Sequence, residues 1–396
     1  MTHAKRAARP RPALSGPTSP DGRLLAPDLG RGFMLLLIVI AHVPMYVHSS
    51  GMTFISRPIG EHVLDDIVNF FGLLLVDNRS YPLFAGLFGY GLALMVSRQL
   101  AAGVPEHEAR RSLRRRSWLL IAFGFVHFVF IGGADVLGLY GVTGLLFGRL
   151  LFRSEQAKRR AIFWTGLAYL VIIPVTWVWI MPISAGESFI NSHSPTYAQM
   201  VADHAIAYPF VILVQMSLFP MVLPVLLGLW LSGKKWIERP EAHRSQLKRI
   251  AFGGIGLSAA GALPLALAGA RLWDAPAAAL DWSVALSLLS GITGGFGYLA
   301  LIALLSLSAR RMVPRLTLFL AAIGKRSLTF YLYQEAVVVL LLSPVAFGFG
   351  ARIGGAGAFS LAVLVWLTGG CLAVWLERRG RPGPADALLR RLVYRK

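Results

Sequence analysis

The residues able to do chemistry in this chain are few, and most sit in apolar surroundings. His42 lies in the run Phe33–Val47. Helical spacing puts Arg31, Leu35, Ile38 and His42 on one face, with Asp28 a turn before Arg31. A neutral imidazole titrates near physiological pH and could serve as a general base; the plainer reading is a His that hydrogen-bonds within a bundle. Ser327, Tyr331 and Glu335 form a second stripe at four-residue spacing, with Gln334 beside Tyr331. Glu335 is the least expected residue of all. A charge at the centre of a membrane span costs on the order of 2.5–3.5 kcal/mol, so it has to be paired, protonated or facing a polar cavity. An acid–base role in an enzyme, a proton-coupling role in a transporter and a structural pair with an Arg or His are all open.

Two further places stand out. His127 and Asp135 flank the turn Ile131-Gly132-Gly133-Ala134, with Tyr140 a turn deeper. Asp135 either orients the imidazole or caps the following helix. Arg79, after Asp77 and Asn78, either takes an anionic group or is a solvated loop charge. The single cysteine, Cys371, allows no intrachain disulfide and no cysteine-based zinc site. No two-metal carboxylate set, phosphate-cradling loop or nucleophile elbow is visible, so no metal is expected.

Composition says what must hold these residues. The chain has 396 residues, of which 56% are hydrophobic and 15% charged. Soluble domains carry about a quarter charged residues. The apolar runs Phe33–Val47, Tyr81–Val96, Trp118–Ile131, Val136–Phe152, Ile162–Ile180, Tyr208–Leu231, Ile250–Ala270, Trp282–Leu307, Leu328–Phe347 and Phe359–Leu376 predict an all-α, polytopic transmembrane bundle of about ten spans. The formal net charge is +20, gathered in short clusters between these runs. That pattern fits anchoring at an anionic membrane leaflet and argues against nucleic acid.

The clusters also set direction. Basic segments at 98–116, 153–160, 234–249, 310–326 and 378–396 all fall on the side of the basic N-terminus if Val63–Val76 adds no span of its own. Glu61, Asp65 and Asp66 open that segment, which reads as an interfacial or re-entrant helix on the outer side. The expected division is a disordered basic tail over residues 1–29, a transmembrane domain over 30–376 and a C-terminal amphipathic segment over 377–396. In the last, Leu388, Leu389, Leu392 and Val393 form an apolar face, and Arg390, Arg391, Arg395 and Lys396 face lipid phosphates. Both ends are expected in the cytoplasm of a bacterial-type inner membrane. Gly141, Gly144 and Gly148 line one helix face, a packing signal.

The motifs resemble those of the YeiB family of multi-pass bacterial membrane proteins. APDLGRGFMLLLIVIAHV resembles that family's opening "LD-x-x-RG" helix, and YPLFAGLFGYGLALM its "LF-x-x-LFG-x-G" segment. ADVLGLYGVTGLL, IGKRSLTFYLYQ and GPADALLRRLVY are similar to later segments in the same order. The resemblance implies a distant relation to the transmembrane acyltransferase superfamily, where a His near the end of the first span is often required. His42 matches it, where many YeiB relatives carry Asn. Asp386 stands where Glu is usual, and Glu335 where a small residue is commoner, so no role for Glu335 carries over.

Three functions follow as expectations. In a membrane acyltransferase, a donor such as acyl-CoA presents its anionic end near Arg31. His42 and Glu335 act as the catalytic residues on a lipid or sugar acceptor. Asp28, Arg31, Arg79, His127, Asp135, Tyr140, Tyr331 and Gln334 are the candidate substrate-binding residues. A proton-coupled exporter using Glu335 is the second function, and an accessory membrane protein the third. The topology has its own test. Reporter fusions after Gly60 and after Gly103 should report opposite sides of the membrane; the same side for both would refute the assignment.

Overall fold

The computed structural model of the chain describes residues 24–47, 52–53, 57–58, 60, 62–182 and 196–394. Residues 1–23 of the expected tail, Glu61, residues 183–195, Arg395 and Lys396 lie outside them. The described chain is helical apart from a two-residue strand pair, Met52–Thr53 with Arg57–Pro58. Seven helical stretches in it are long and apolar enough to cross a membrane, and four shorter apolar helices accompany them. This is the all-α, membrane-type bundle expected.

Helix α1 (Leu25–His42) has Pro27 in its first turn, where no backbone N–H is needed, and Asp28 at the positive end of its dipole. Residues 25–29, assigned to the tail by sequence, are therefore already helix. Helix α2 (Val63–Phe71) passes through a wide turn at Gly72–Val76 and a bend at 77–79 into α3 (Ser80–Ala101). Together they form one apolar stretch, Val63–Ala101. Asp65 accepts the Ala356 N–H at the far end of this stretch, and Arg79 donates to the Ser258 carbonyl. Segment 63–76 buries its polar face of Asp65 and Asn69 against protein and turns Val63, Leu64, Ile67 and Phe71 outward. Arg271 pairs with Asp66 at 2.7 Å, which holds the guanidinium above its ordinary pKa.

Helices α4 (Glu106–Val126) and α5 (Leu137–Phe147) pack face to face. Gly141 and Gly144 lie against Ser117 and Gly148 against Leu113, so the small-residue stripe is the packing seam it resembled. Helix α6 (Glu155–Pro174) is peripheral and exposes Phe163, Trp164 and Leu170. The run Tyr208–Leu231, expected as one uniform span, is two helices, α7 (Tyr197–Leu218) and α8 (Val222–Lys234). Pro220 explains the break. It donates no hydrogen bond, and it forces Phe219 into an extended conformation, φ −126° and ψ 135°. At about 1.5 Å per residue α8 alone falls short of a bilayer core, whereas α7 is long enough to cross one, and α8 packs on α3 and α6.

The rest of the chain runs through α9 (Arg244–Gly269), α10 (Ala277–Met312), α11 (Pro314–Gly324), α12 (Ser327–Leu342), α13 (Gly355–Arg378) and α14 (Pro384–Tyr394). The segment 310–326, read from sequence as a basic loop, contains α11, an apolar helix packed on α1. Gly32 meets the Leu320 backbone and Gly324 meets the Asp28 backbone, so the two helices touch without side chains between them. Helix α14 is amphipathic as expected, and part of its apolar face packs on protein while Leu388 stays 49% exposed. Leu389 and Val393 are buried, and Asp386 accepts from the N–H and the hydroxyl of Thr329 at 3.0 and 2.7 Å.

The α1–α11 contact makes a direct test. Gly32→Ala places a methyl against the Leu320 carbonyl and should destabilise the protein by about 1–3 kcal/mol, the usual cost of overpacking. Gly253→Ala on α9, where a methyl meets nothing within 4 Å, should be neutral or stabilising. Thermal unfolding of the two variants separates them.

Candidate functional site

The predicted residues gather in two places along α12. At its start, a cavity of about 710 Å³ opens between α1, α3, α4, α12 and α14. Its polar part carries Arg31, Arg98, Arg116, Lys325, Arg390 and Arg391 against Asp28 and Asp386, a formal excess of four positive charges. These residues come from the start of α1, the end of α3, the middle of α4, the link before α12 and the last helix, so three of the five basic segments, 98–116, 310–326 and 378–396, meet at one cavity. Asp28 lies 3.4 Å from Arg31, and Lys325 pairs with Glu377 at 2.5 Å. Arg116 has a buried Nε with no hydrogen-bond partner.

The cavity's other end is aromatic. Tyr140 stacks on Phe88 at 4.7 Å and meets Phe84 edge-on at 4.9 Å. Tyr331 completes this end and donates its hydroxyl to the Ala134 carbonyl at 2.7 Å. Among the candidates, Asp28, Arg31, Tyr140 and Tyr331 line the cavity. His42 and Glu335 do not.

Those two meet one helical turn beyond Tyr331. His42 Nδ1 lies 2.5 Å from Glu335 Oε1; the imidazole is 13% exposed and the carboxylate 1%. With Nδ1 engaged by a carboxylate, Nε2 is the nitrogen left for a substrate proton. Beside them Tyr331 packs on His127 at 5.3 Å between ring centres. His127 Nδ1 lies 3.3 Å from Asp135, which also accepts the N–H groups of Leu137 and Gly138 at 3.2 and 2.9 Å. Asp135 therefore does both things the sequence allowed: it orients the imidazole and it holds the start of α5.

Backbone shape brings these groups together. His127 opens a π-wound turn, His127–Ile131, a feature often found at functional sites. Gly132 and Gly133 follow with φ of +88° and +90°, a region L-residues avoid. A side chain at Gly133 would strike the Tyr46 hydroxyl and stand 3.4 Å from Glu335 Oε2. The glycine turn closes directly over the carboxylate. Tyr46 Oη, His127 Nε2, Tyr140 Oη, Gln334 Nε2 and Glu335 Oε2 are all buried without a protein partner. Each such atom costs roughly 1–3 kcal/mol if nothing answers it, so this layer is built for water or a polar ligand.

Arg79 stands apart from both places. It is 1% exposed and donates to the carbonyls of Leu73 at 3.0 Å and Ser258 at 2.7 Å, and also to that of Asp77. Backbone carbonyls occupy the guanidinium, so it fastens the bend between α2 and α3 and is not placed to receive an anion. Its neighbour Asp77 forms a two-pronged pair with Arg57 at 2.7 and 2.9 Å. Sequence reading missed Arg57, and also Phe84, Phe88, Arg98 and Arg116 in the cavity. Arg116 carried a signal, as the last cation before the apolar run Trp118–Ile131.

Comparison with known proteins bears on the second half of the chain most. Residues 231–396, which include α12 and α14, match the family model of a protein of unknown function, DUF418. An uncharacterised 39.9 kDa protein from the amylase 3′ region of Bacillus acidopullulyticus is 31% identical over 40% of this chain and 42% of its own length. YxaH of Bacillus subtilis is 24% identical over 60% of this chain and 65% of its own. YeiB of Escherichia coli is 36% identical over 22% and 20%. The chain thus spans less than two thirds of each of these relatives. No solved structure matches it.

The double role of Asp135 predicts a split between two substitutions. Asp135→Ala should lower stability by about 1–2 kcal/mol through the lost helix cap, whereas Asp135→Asn keeps an acceptor there and should cost less. Thermal unfolding gives both numbers, and equal losses would refute the capping role.

Proposed function

Taking the chain as a YeiB-like membrane protein with a DUF418 region, we propose that it transfers an acyl group from a cytoplasmic donor, such as acyl-CoA, to a hydroxyl or amine of a lipid or sugar acceptor. The His42–Glu335 pair carries this reading. Glu335 accepts the Nδ1 proton of His42 and fixes the tautomer. His42 Nε2 then takes the proton of the acceptor as its oxygen or nitrogen attacks the acyl carbonyl, and returns it to the leaving thiolate. The bond formed is acceptor–acyl, and the bond broken joins the acyl carbon to the leaving group. In this reading the basic end faces the cytoplasm of a bacterial-type inner membrane, and both chain ends lie there. Residues 377–396 form one wall of the donor's entrance. His127, Asp135 and Gln334 supply polarity beside the reacting atoms.

Tyr140 and Tyr331 stand between the cavity and His42. A donor held at Arg31 therefore reaches the pair only when Tyr331 moves aside. The same separation favours a second reading, a proton-coupled exporter of an anionic substrate in which Glu335 takes up the proton and the tyrosine layer is the closed gate.

Proteoliposomes with labelled acyl-CoA distinguish the two. Acyl transfer predicts donor consumption that falls about 10²–10⁴-fold in His42→Gln, the usual contribution of a general base, while the amide keeps a hydrogen-bond donor for Glu335. Full consumption by that variant would sink the reading. The exporter predicts no donor consumption, and flux that loses its pH dependence in Glu335→Gln.

A further inference from the structure

We propose that the cavity at the basic end is a binding site for a single-chain amphiphile with a phosphate or diphosphate head. The site stands whether the His42–Glu335 pair transfers an acyl group or couples protons. Three observations carry it.

First, the lining changes character along its length. Cations from α1, α3, α4 and α14 crowd one end, while Phe84, Phe88, Leu120 and Leu137 form the other with the two tyrosines. A small inorganic anion would leave the apolar end empty, and a neutral lipid would leave the cations unanswered. Second, five of the six lining cations are arginines. The guanidinium fork matches phosphate oxygens two at a time, and a phosphate offers more acceptor oxygens than a carboxylate does. Arg116 holds a buried Nε that no protein acceptor answers, which an oxyanion in the cavity would satisfy. Third, the volume of about 710 Å³ lies within the range that encloses one drug-sized ligand. One head and one chain suit that space better than a two-chained lipid.

Helix α14 makes the site closed on one side. Asp386 ties it to Thr329 at the start of α12, while Arg390 and Arg391 face the cavity. The wall and part of the charge therefore arrive together.

The test uses the full chain in phosphatidylcholine nanodiscs, titrated with 1-myristoylglycerol 3-phosphate and read by calorimetry and thermal shift. Saturable binding is expected. Removing the head (1-myristoylglycerol) or the chain (glycerol 3-phosphate) should each weaken it at least tenfold. Myristoyl-CoA is the second positive arm: tighter binding than the monoacyl phosphate identifies a nucleotide-linked source, and weaker binding a lipid one. Arg116→Gln should weaken both at least tenfold. Gly91→Leu fills the cavity from α3, where a Cβ meets only the mobile tip of Arg31. Leu is a better helix former than Gly, so this variant should keep its melting temperature and lose binding. Arg249→Gln, on the basic side but outside the lining, should bind as wild type does. His42→Gln, which keeps a hydrogen-bond donor for Glu335, should also bind normally, so a failed acyl-transfer reading and a failed binding site are told apart. Equal affinity for 1-myristoylglycerol, or unchanged affinity in Gly91→Leu, would overturn the proposal.

Discussion

Glu335 sits two turns into α12 at 1% exposure, and its Oε1 lies 2.5 Å from His42 Nδ1 on α1. In a low-dielectric interior a carboxylate without a partner is expensive, so this contact fixes how α1 and α12 stand against each other. Other positions follow from that register. Tyr331, one turn earlier, falls against His127 and the Ala134 carbonyl, which sets the double-glycine turn over the carboxylate. Ser327, one turn earlier again, falls at the basic cavity. The stripe Ser327, Tyr331 and Glu335 is thus an axis along which the molecule changes from cationic to aromatic to buried and polar.

Helix α1 is the partner to all of this, and its own packing is correspondingly tight. Gly32 and Gly324 let α11 touch its backbone, while Val39 and Val43 pack with Val338 and Ala362 from α12 and α13. The helices that carry chemistry are therefore those with least freedom to shift. Function that needs movement has to find it in side chains, above all Tyr331, or in the attached helix α14.

Much of this was legible in the residues. Apolar runs gave the helical class, three of the basic clusters meet at one cavity, and spacing found His42, Glu335, His127, Asp135, Tyr140 and Tyr331. Sequence could not say which of these meet, because the partners are separated by up to 293 residues and no local period connects them. It also misjudged elements whose character depends on neighbours. Helix α11 looked like a loop because Arg310 and Arg311 precede it, Arg315 lies in its first turn, and Lys325 and Arg326 follow it. That Leu389 and Val393 of helix α14 pack on protein was not legible, because an apolar stripe suits lipid and protein equally. Arg79 looked available because its acceptors are backbone carbonyls, which no side-chain pattern announces.

Helices α6 and α7 turn Phe163, Trp164, Leu170, Ile206, Phe210 and Leu213 outward, each at least 60% exposed. Lipid chains distinguish poorly between one bulky apolar side chain and another. Along these two helices, sequence can drift among Leu, Ile, Phe and Val with little consequence for shape, whereas α1 can exchange almost nothing. Divergence between copies of this fold should accordingly accumulate as a stripe on the periphery, leaving the interior readable long after overall identity has fallen.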